Sequence, residues 1–262
     1  MSSTSTTIQS TVASANDVPK VRIYGVPISK MSMDQTVAYL TNVIEQRQPH
    51  QIITANPIMV MAAQEDSAYL SMMQRAELIV PDGTGVVWAA KYVGEPVVER
   101  VPGYDLIHEL MKVGESKGWK VYLLGASNEV IQAAAEKLRT TYPRIKLVGV
   151  RDGYFKDEQD AEVIRDIVDA APDILLVGRS AANQEPWIGK YKQQIGVPVM
   201  MGVGGSFDVL SGKLKRAPVL FQKLRLEWFY RLIQEPWRYK RMLLLPKFAI
   251  KVMRDKEKVT KS

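Results

Sequence analysis

Polar residues that could carry out group-transfer chemistry stand directly after the short hydrophobic runs of this 262-residue chain. Thr54 and Asn56 follow one such run, and Asp82 follows the next, at the start of an Asp-Gly-Thr-Gly turn. A carboxylate within hydrogen-bond reach of a hydroxyl group can accept its proton while that hydroxyl attacks an electrophilic carbon. Asp82 is the strongest candidate for such a base, because it is the only acidic residue at a glycine turn after the first three runs.

Two further groups of residues have the chemistry to bind a phosphate. Gly204 and Gly205 follow the last hydrophobic run, where the lack of side chains lets backbone amides approach an anion closely. Arg231, Arg238 and Arg241 are spaced by seven and three residues, which puts them on one helical face if the helix continues through the intervening proline. The chain has no Asp-x-Asp pair to hold a divalent cation, so arginines are the available counter-charge for a departing diphosphate.

Most of these residues also have a purely structural interpretation. Asp82, Thr54 and Asn56 stand where a side chain commonly caps a helix N-terminus. Gln184 and Glu185 are compatible with an exposed first helical turn, where the helix dipole favours glutamate. The sequence by itself leaves these structural roles open beside the functional ones.

Missing residue types and motifs exclude several classes of enzyme. The chain has no cysteine, which favours an intracellular location, and its two histidines are too few for a histidine-built metal centre. One of them, His108, is interpreted as a packed or surface residue of an amphipathic helix. The sequence contains neither the phosphate-binding loop of ATPases nor the nucleophile elbow of serine hydrolases. A partial dinucleotide fingerprint at Gly83 fails at Trp88, where close helix packing requires a small residue.

The hydrophobic pattern alternates between short β-rich runs and amphipathic helices. Strands are predicted at Val21–Ile23, Gln51–Thr54, Leu78–Val80, Lys120–Leu124, Lys146–Val150, Ile174–Val177 and Val197–Val203. Helices are predicted at Met33–Gln46, Pro57–Glu65, Gly85–Tyr92, Tyr104–Lys117, Glu129–Tyr142, Glu158–Ala170 and Gln184–Gln194. This alternation predicts an α/β fold, with a Rossmann-like, mostly parallel sheet and helices on both faces. Ligands of such sheets bind beyond the carboxyl ends of the strands, where the candidate residues stand.

Charge is distributed unevenly along the chain. Residues 213–262 hold 15 of the 35 basic and 4 of the 28 acidic residues, which leaves 20 basic against 24 acidic residues before them. Leucines and aromatic residues are interleaved with these charges, which predicts a basic amphipathic helical appendage suited to an anionic membrane surface. No apolar run approaches the roughly 20 residues needed to span a bilayer. We therefore expect a disordered Ser/Thr-rich tail (1–18), an α/β catalytic core (19–212) and a membrane-associating appendage (213–262).

A series of short motifs, taken together and in order, resembles the WecG/TagA/CpsF glycosyltransferases over roughly residues 21–251. The motifs are Thr54-Ala55-Asn56, Pro81–Gly85, Glu99–Gly103, Asp152–Phe155, Gln184–Ile188, Gly204–Asp208, Arg216–Pro218, Glu227–Leu232 and Glu235–Arg241. The resemblance implies an inverting, metal-independent transferase without a cofactor. Its substrates would be UDP-N-acetylmannosamine (UDP-ManNAc) and the 4-hydroxyl of N-acetylglucosamine (GlcNAc) on undecaprenyl diphosphate, and it would build the linkage unit of teichoic acids or related cell-wall polymers.

The resemblance also implies roles for individual residues. In the TagA-like branch the aspartate of the Asp-Gly turn is the catalytic base, which corresponds to Asp82, and Thr54, Asn56 and Arg100 belong to the same catalytic group. The residues that would bind the UDP-sugar or its diphosphate are Gln184, Gly204, Gly205, Asp208, Arg231, Arg238 and Arg241. The resemblance further implies a cytoplasmic, peripheral protein on the inner face of the bacterial cell membrane, which forms a homo-oligomer through its core.

One turn departs from the family pattern. Where the family has Gly-x-Gly-x-Pro-Lys before Gln-Glu, this chain reads Gly-Arg-Ser-Ala-Ala-Asn from Gly178, and Arg179 is the residue that could replace the charge of the missing lysine. N-acetylmannosaminuronic acid (ManNAcA) and glucose therefore stay open as alternative donor sugars. Two functions of other classes also stay open, a non-catalytic membrane-surface scaffold and a nucleic-acid-binding protein. The lack of a recognition module beside the basic residues argues against nucleic acid as a partner.

Overall fold

Six parallel strands form the central sheet of the computed structural model, which describes residues 18–261. Residues 18–261 contain eight strands, of which the first two lie outside this sheet: β1 (Lys20–Ile23), β2 (Val26–Ser29), β3 (His50–Ala55), β4 (Leu78–Pro81), β5 (Lys120–Gly125), β6 (Lys146–Arg151), β7 (Ile174–Gly178) and β8 (Val199–Gly202). The sheet order is β4-β3-β8-β7-β5-β6, and each neighbouring pair is parallel. The predicted α/β fold with a parallel sheet is therefore confirmed.

Helices connect the strands and continue to the end of the described chain. They are α1 (Met33–Gln46), α2 (Pro57–Glu65), α3 (Ser67–Gln74), α4 (Thr84–Tyr92), α5 (Gly103–Lys117), α6 (Asn128–Thr141), α7 (Asp160–Ala170), α8 (Ala181–Ile195), α9 (Ser206–Leu210), α10 (Val219–Lys223), α11 (Glu227–Gln234), α12 (Tyr239–Met242), α13 (Leu244–Asp255) and α14 (Lys258–Lys261). Local signals explain the start of α1, where Ser32 and Gln35 form a reciprocal capping box.

Side chains of the strands alternate between the two faces of the sheet, because successive strand residues point in opposite directions. Ile52 and Leu78 belong to a buried cluster with residues of α1, α5, α6 and α9. Their neighbours Ile53 and Ile79 belong to a second cluster with α2, α4 and α13, on the opposite face. A third cluster packs Leu175 and its neighbours against α7 and α8. Helices thus cover both faces, as the sequence pattern predicts.

The last helices pack back onto the beginning of the chain. Phe248 and Val252 of α13 are buried at 1% and 0% exposure, in the cluster that contains β1 and β2. The backbone N–H of Tyr24 donates to the carbonyl of Val259 at 2.8 Å, and the Tyr24 hydroxyl donates to Asp255 at 3.0 Å. The basic C-terminal region therefore contains a part that completes the body of the protein.

Three features differ from the sequence prediction. The first predicted strand, β1, pairs with the unpredicted strand β2 in a separate antiparallel hairpin, and does not join the main sheet. The short helix α3 was also not predicted. Of the predicted N-terminal tail, residues 1–17 lie outside the described residues, and Val18 is buried.

Candidate active site

The carboxyl ends of β4, β3, β8 and β7 open into one cavity of about 440 Å³. Its other wall comes from the C-terminal region, through α11 and the segment that follows it. Of the residues selected from the sequence, those that line the cavity are Thr54, Asn56, Asp82, Gln184, Gly204, Gly205, Arg231, Arg238 and Arg241. Residues separated by up to 187 positions therefore meet in one space of the size that binds a small organic ligand.

Asp82 is held at the end of β4 by backbone contacts with β3. Its N–H and that of Gly83 donate to the carbonyl of Ala55 at 3.1 and 2.9 Å. A side chain at position 83 would approach the Pro57 ring to 2.6 Å, so the turn requires glycine. Helix α4 is capped by Gly83 without a side-chain hydrogen bond, and the Asp82 carboxylate is not used as its cap. The Asp82 carboxylate therefore does not cap α4; it accepts a hydrogen bond from the N–H of Gly103, the first residue of α5, and lines the cavity.

The surroundings of Asp82 favour its protonated form more than water would. Burial raises the pKa of Asp82 to about 6, and the negative charges of Glu227 and Asp105 act in the same direction. The charge of Arg100 and a hydrogen bond from the backbone of Gly103 oppose this shift. A carboxylate with a pKa near 6 is ionised at neutral pH, yet is basic enough to accept a proton from a hydroxyl group during its attack.

Thr54 and Asn56 flank the same turn from β3. The Thr54 hydroxyl donates weakly to the carbonyl of Gly202 at 3.4 Å, across the gap to β8. Asn56 caps α2, since its Oδ1 accepts from the N–H groups of Ile58 and Met59 at 3.0 and 3.2 Å. The capping interpretation of Asn56 is thus correct, and its side-chain NH₂ group is left for other contacts, since the capping bonds use only the oxygen.

A glycine turn follows β8 and forms the floor of the cavity beside Gln184. Gln184 is 4% exposed and its Oε1 accepts from the N–H of Gly204 at 3.1 Å. Gly204 has φ of +48°, in the left-handed region that favours glycine. A side chain at Gly205 would come within 2.1 Å of the Arg231 guanidinium, so the arginine packs directly on the backbone of this turn.

Three arginines and one carboxylate form the most basic part of the cavity wall. The Nε atoms of Arg231 and Arg238 lie 2.9 and 2.7 Å from Glu235 Oε2, and burial together with these two arginines lowers the pKa of Arg241. Arg231 Nη2 is buried and has no hydrogen-bond partner among the described residues. Three positive charges against one negative charge, with an unused buried donor, suit an anionic ligand such as a phosphate.

The spacing of the three arginines predicts one shared helical face only if the helix continues through Pro236, and this condition is not met. Helix α11 ends at Gln234, a 3₁₀ turn follows at Pro236–Arg238, and α12 begins at Tyr239. Proline lacks an N–H group and its ring clashes with the preceding turn, which interrupts the helix. The three guanidinium groups nevertheless line the same cavity.

Two selected residues, Arg100 and Asp208, lie outside the cavity lining. Arg100 Nη1 instead forms an ion pair with Glu227 Oε2 at 2.8 Å, at the end of the cavity next to Asp82. Asp208 lies 3.6 Å from Lys213 Nζ. Arg179, named from the sequence as a replacement for the missing lysine, also lines the cavity. The sequence did not indicate several other polar residues that line it, namely Tyr104, Asp105, Ser180, Lys215, Arg216, Glu227, Tyr230 and Gln234.

Arg179 lies in the turn that departs from the family pattern. Its guanidinium is 4.2 Å from the centre of the Phe155 ring, and its Nη2 donates to the carbonyl of Phe155 at 3.3 Å. In contrast, Arg216 and Arg231 each pair with a carboxylate. Within residues 18–261 Arg179 forms no ion pair, so its positive charge is held in place by neutral groups.

Apolar side chains are exposed on the outer side of the same C-terminal wall. They belong to α10, α11, α12 and the residues between them: Val219, Leu220, Leu224, Trp228, Phe229, Ile233, Trp237, Tyr239 and Leu243. Trp237 is the most exposed of them, at 71%. We refer to the nine side chains, from Val219 to Leu243, as the apolar surface.

Among the helices of residues 18–261, none has the length and apolar character needed to cross a membrane.

The chain is similar to known glycosyltransferases over nearly its whole length. The sequence profile described as "Glycosyl transferase WecG/TagA/CpsF family" matches residues 21–262. A protein of Bacillus subtilis (strain 168) is 37% identical over 236 residues, which are 90% of this chain and 91% of that protein. A protein of Staphylococcus aureus (strain MW2) is 38% identical over 254 residues, 96% of this chain and 99% of its own. Both are named N-acetylglucosaminyldiphosphoundecaprenol N-acetyl-beta-D-mannosaminyltransferase.

Proposed function

The chain belongs to the WecG/TagA/CpsF family of glycosyltransferases, and on that basis we propose that it transfers N-acetylmannosamine from UDP-ManNAc to the 4-hydroxyl of GlcNAc-diphospho-undecaprenol. The product would be the β-1,4-linked unit on which teichoic acid or a related secondary cell-wall polymer is built. The observation that carries this proposal is one cavity with a candidate base, Asp82, and a cluster of arginines around Arg231.

Asp82 is the proposed general base of a single displacement. The acceptor hydroxyl oxygen attacks C1 of the donor sugar while the bond from C1 to the UDP oxygen breaks, and the hydroxyl proton passes to Asp82. Attack from the face opposite UDP inverts the anomeric carbon, so an α-linked donor gives a β-linked product. The raised pKa of Asp82 supports this role, because it brings the basicity of the carboxylate closer to neutral pH.

The arginines are proposed to take up the charge that develops on the departing UDP. Arg231, Arg238 and Arg241 together outnumber their single carboxylate partner, Glu235. Donors that are fixed before the reaction stabilise a developing anion at little reorganisation cost. The turn at Gly204 and Gly205 is proposed to present backbone N–H groups to the same diphosphate. The transfer is proposed to need no metal ion, with the arginines as the counter-charge for the leaving diphosphate.

The apolar surface is proposed to lie in the headgroup region of the cytoplasmic membrane leaflet. It combines exposed Trp, Phe and Leu side chains with basic residues of the same segment, such as Lys223 and Arg225, a composition typical of interfacial helices. The cavity wall and the apolar surface share α11, so a lipid-linked acceptor held at the membrane could reach Asp82. Residues 213–262 are proposed as the membrane-associating region, in which α10 to α12 would meet the membrane while α13 packs against the catalytic core, residues 19–212. Self-association through the core is also part of the proposal.

A donor comparison tests the proposed reaction and its alternatives. UDP release is measured with a GlcNAc-diphospholipid acceptor and, in turn, UDP-ManNAc, its uronic acid counterpart UDP-ManNAcA, and UDP-glucose. We expect acceptor-dependent release that is fastest with UDP-ManNAc. Faster release with another donor would replace the sugar in the proposal, and no release with any donor would favour a non-catalytic scaffold.

A binding experiment tests the nucleic-acid alternative. Flotation of the protein with anionic vesicles but no binding to duplex DNA at moderate salt would exclude it.

A further inference from the structure

A second buried carboxyl group, Glu185 of α8, lies behind the cavity and has no part in the proposed chemistry. It is fully buried, and no ion pair within the described residues involves it. This is unusual, because a carboxylate removed from water is costly unless charges or hydrogen bonds compensate it. The expected exposed position in a first helical turn is wrong, because α8 already begins at Ala181 and its second turn faces the sheet.

Two side-chain amides compensate the Glu185 carboxylate. Gln184 Nε2 donates to Glu185 Oε1 at 3.0 Å. Gln51 Nε2, from β3, lies 3.4 Å from Glu185 Oε2 and donates to the Glu185 backbone carbonyl at 2.9 Å. A side chain at Gly202 of β8 would approach Glu185 Oε1 to 2.0 Å, so this strand end leaves room for the carboxylate only as glycine.

The hydrogen bonds continue from Glu185 into the cavity. Gln184 uses its NH₂ group on Glu185 and its oxygen on the N–H of Gly204, at 3.1 Å. A side-chain amide can rotate by 180° and exchange these two ends, but an ionised carboxylate accepts hydrogen bonds and cannot donate them. Ionised Glu185 therefore allows only the orientation in which the Gln184 oxygen faces Gly204.

We infer that Glu185 is a positioning residue: its carboxylate fixes the side-chain amide of Gln184, and through it the Gly204 turn against which the donor diphosphate binds. This inference rests on the proposed function for the identity of the ligand. It does not require Glu185 to touch the substrate. The two residues of the Gln-Glu pair thus have different roles: Gln184 lines the cavity, and Glu185 holds Gln184 in place from behind.

The positioning effect depends on pH near neutrality. Burial raises the pKa of Glu185 to about 7, although the hydrogen bonds from Gln184 and Gln51 lower it. Tyr69 is the titratable group that faces Glu185 from α3. The ion pair of Glu77 with Lys192 lies beyond Gln51, and the backbone N–H of Gln51 donates to Glu77. Below pH 7 the protonated carboxyl gains an O–H donor and loses an acceptor, so its hold on Gln184 weakens.

Donor binding, measured without turnover, tests this inference. UDP-N-acetylglucosamine is a suitable probe, because its diphosphate is esterified at both ends and does not titrate between pH 6 and 8. By calorimetry we expect wild-type affinity to fall roughly 3- to 10-fold from pH 8 to pH 6, about the effect of one hydrogen bond. Glu185→Gln keeps the shape but not the charge, so its affinity should be low at pH 8 and should lack the fall centred near pH 7. Glu129→Gln, at an exposed first-turn glutamate of α6, is the matched control and should follow the wild type.

The Gly204 amide provides a readout that does not depend on the ligand. In protein labelled with ¹⁵N-glycine, its NMR shift should titrate with a midpoint near 7 in the wild type and not in Glu185→Gln. A Gly204 shift that is constant over this range in the wild type overturns the inference, as does wild-type binding and pH dependence in the variant. Failure of every form to bind the probe, with the Gly204 titration intact, would instead count against the proposed binding of a UDP-sugar diphosphate at this turn and leave the positioning role supported.

Discussion

Arg100 Nη1 lies 2.8 Å from Glu227 Oε2. This ion pair connects the loop before α5 to the first turn of α11. The two charges act on Asp82 in opposite directions, since Arg100 lowers its pKa and Glu227 raises it. Glu227 is followed directly by Trp228 and Phe229 of the apolar surface. The helix proposed to meet the membrane therefore also carries a charge that tunes the proposed base.

Replacing Asp82 should stop turnover while leaving donor binding nearly intact. We expect Asp82→Asn to lower kcat by a factor on the order of 10² to 10⁴, the usual effect of removing a general base. The wild-type kcat should rise with pH around a midpoint near 6, because only the ionised carboxylate accepts a proton and burial raises its pKa to about 6. Steady-state kinetics from pH 4.5 to 8 measure both effects. Turnover within a factor of two of the wild type would exclude Asp82 as the base.

The midpoint of the pH dependence of kcat should shift in opposite directions when one or the other partner of the Arg100–Glu227 ion pair is replaced. Arg100→Gln removes a charge that lowers the pKa of Asp82, so the midpoint should move to higher pH. Glu227→Gln removes a charge that raises this pKa and also releases Arg100, so the midpoint should move to lower pH. Glu136→Gln, on the exposed face of α6, serves as the control. Shifts in the same direction for both variants would contradict the electrostatic account.

Arg179 should contribute to donor affinity, because its charge is held at the cavity by Phe155 without a carboxylate partner. We expect Arg179→Gln to weaken UDP binding by a factor of roughly 10 to 150, which corresponds to the loss of a hydrogen bond to a charged group, about 1.5–3 kcal/mol. Isothermal calorimetry measures the change, with Arg165→Gln on the exposed side of α7 as the control. Equal affinities of the wild type and Arg179→Gln would remove Arg179 from the binding site.

The C-terminal helix α13 should be required for stability of the whole protein. Phe248→Ala removes a side chain that is 1% exposed and should lower the free energy of unfolding by about 3–5 kcal/mol. Ile250→Ala, two residues away and 61% exposed, should change it by less than about 0.5 kcal/mol. Urea denaturation of both variants measures the difference. Similar stabilities would mean that α13 is not part of the folded body.

Transfer should continue after removal of divalent cations, since the arginines are proposed to neutralise the leaving diphosphate. We expect the rate of UDP release in EDTA to remain within a factor of about two of the untreated rate, a change of less than about 0.5 kcal/mol in the barrier. Addition of magnesium after EDTA is the control. Loss of activity that magnesium restores would require a metal site not included in the proposal.

The sequence predicts the sheet, its helices and the position of Asp82, because these follow from local hydrophobic periodicity and turn chemistry. It does not predict the pairing of Arg100 with Glu227, since these residues are 127 positions apart and meet only through tertiary packing. The same limit applies to Arg179, which the sequence indicates only as a possible replacement for a missing lysine, without its contact to Phe155. Its environment depends on Phe155, which lies on the neighbouring loop after β6.

The C-terminal region shows how one sequence pattern can serve two surfaces. Basic residues interleaved with leucines and aromatics predict amphipathic helices, and both α11 and α13 fit that pattern. Phe248 of α13 packs into the body, whereas Phe229 of α11 is 43% exposed. The period of the pattern identifies the apolar face of each helix, but what covers that face is determined by the rest of the fold.

Formation of the disaccharide on the lipid acceptor is the most direct measurement of the proposed transfer. Wild-type protein and Asp82→Asn are each incubated with UDP-ManNAc and a GlcNAc-diphospholipid, and the lipid product is analysed by mass spectrometry and for its anomeric configuration. The account predicts a β-linked N-acetylmannosaminyl product with the wild type, formed at least 100-fold more slowly by Asp82→Asn. An α-linked product, or equal rates for the two proteins, would contradict it.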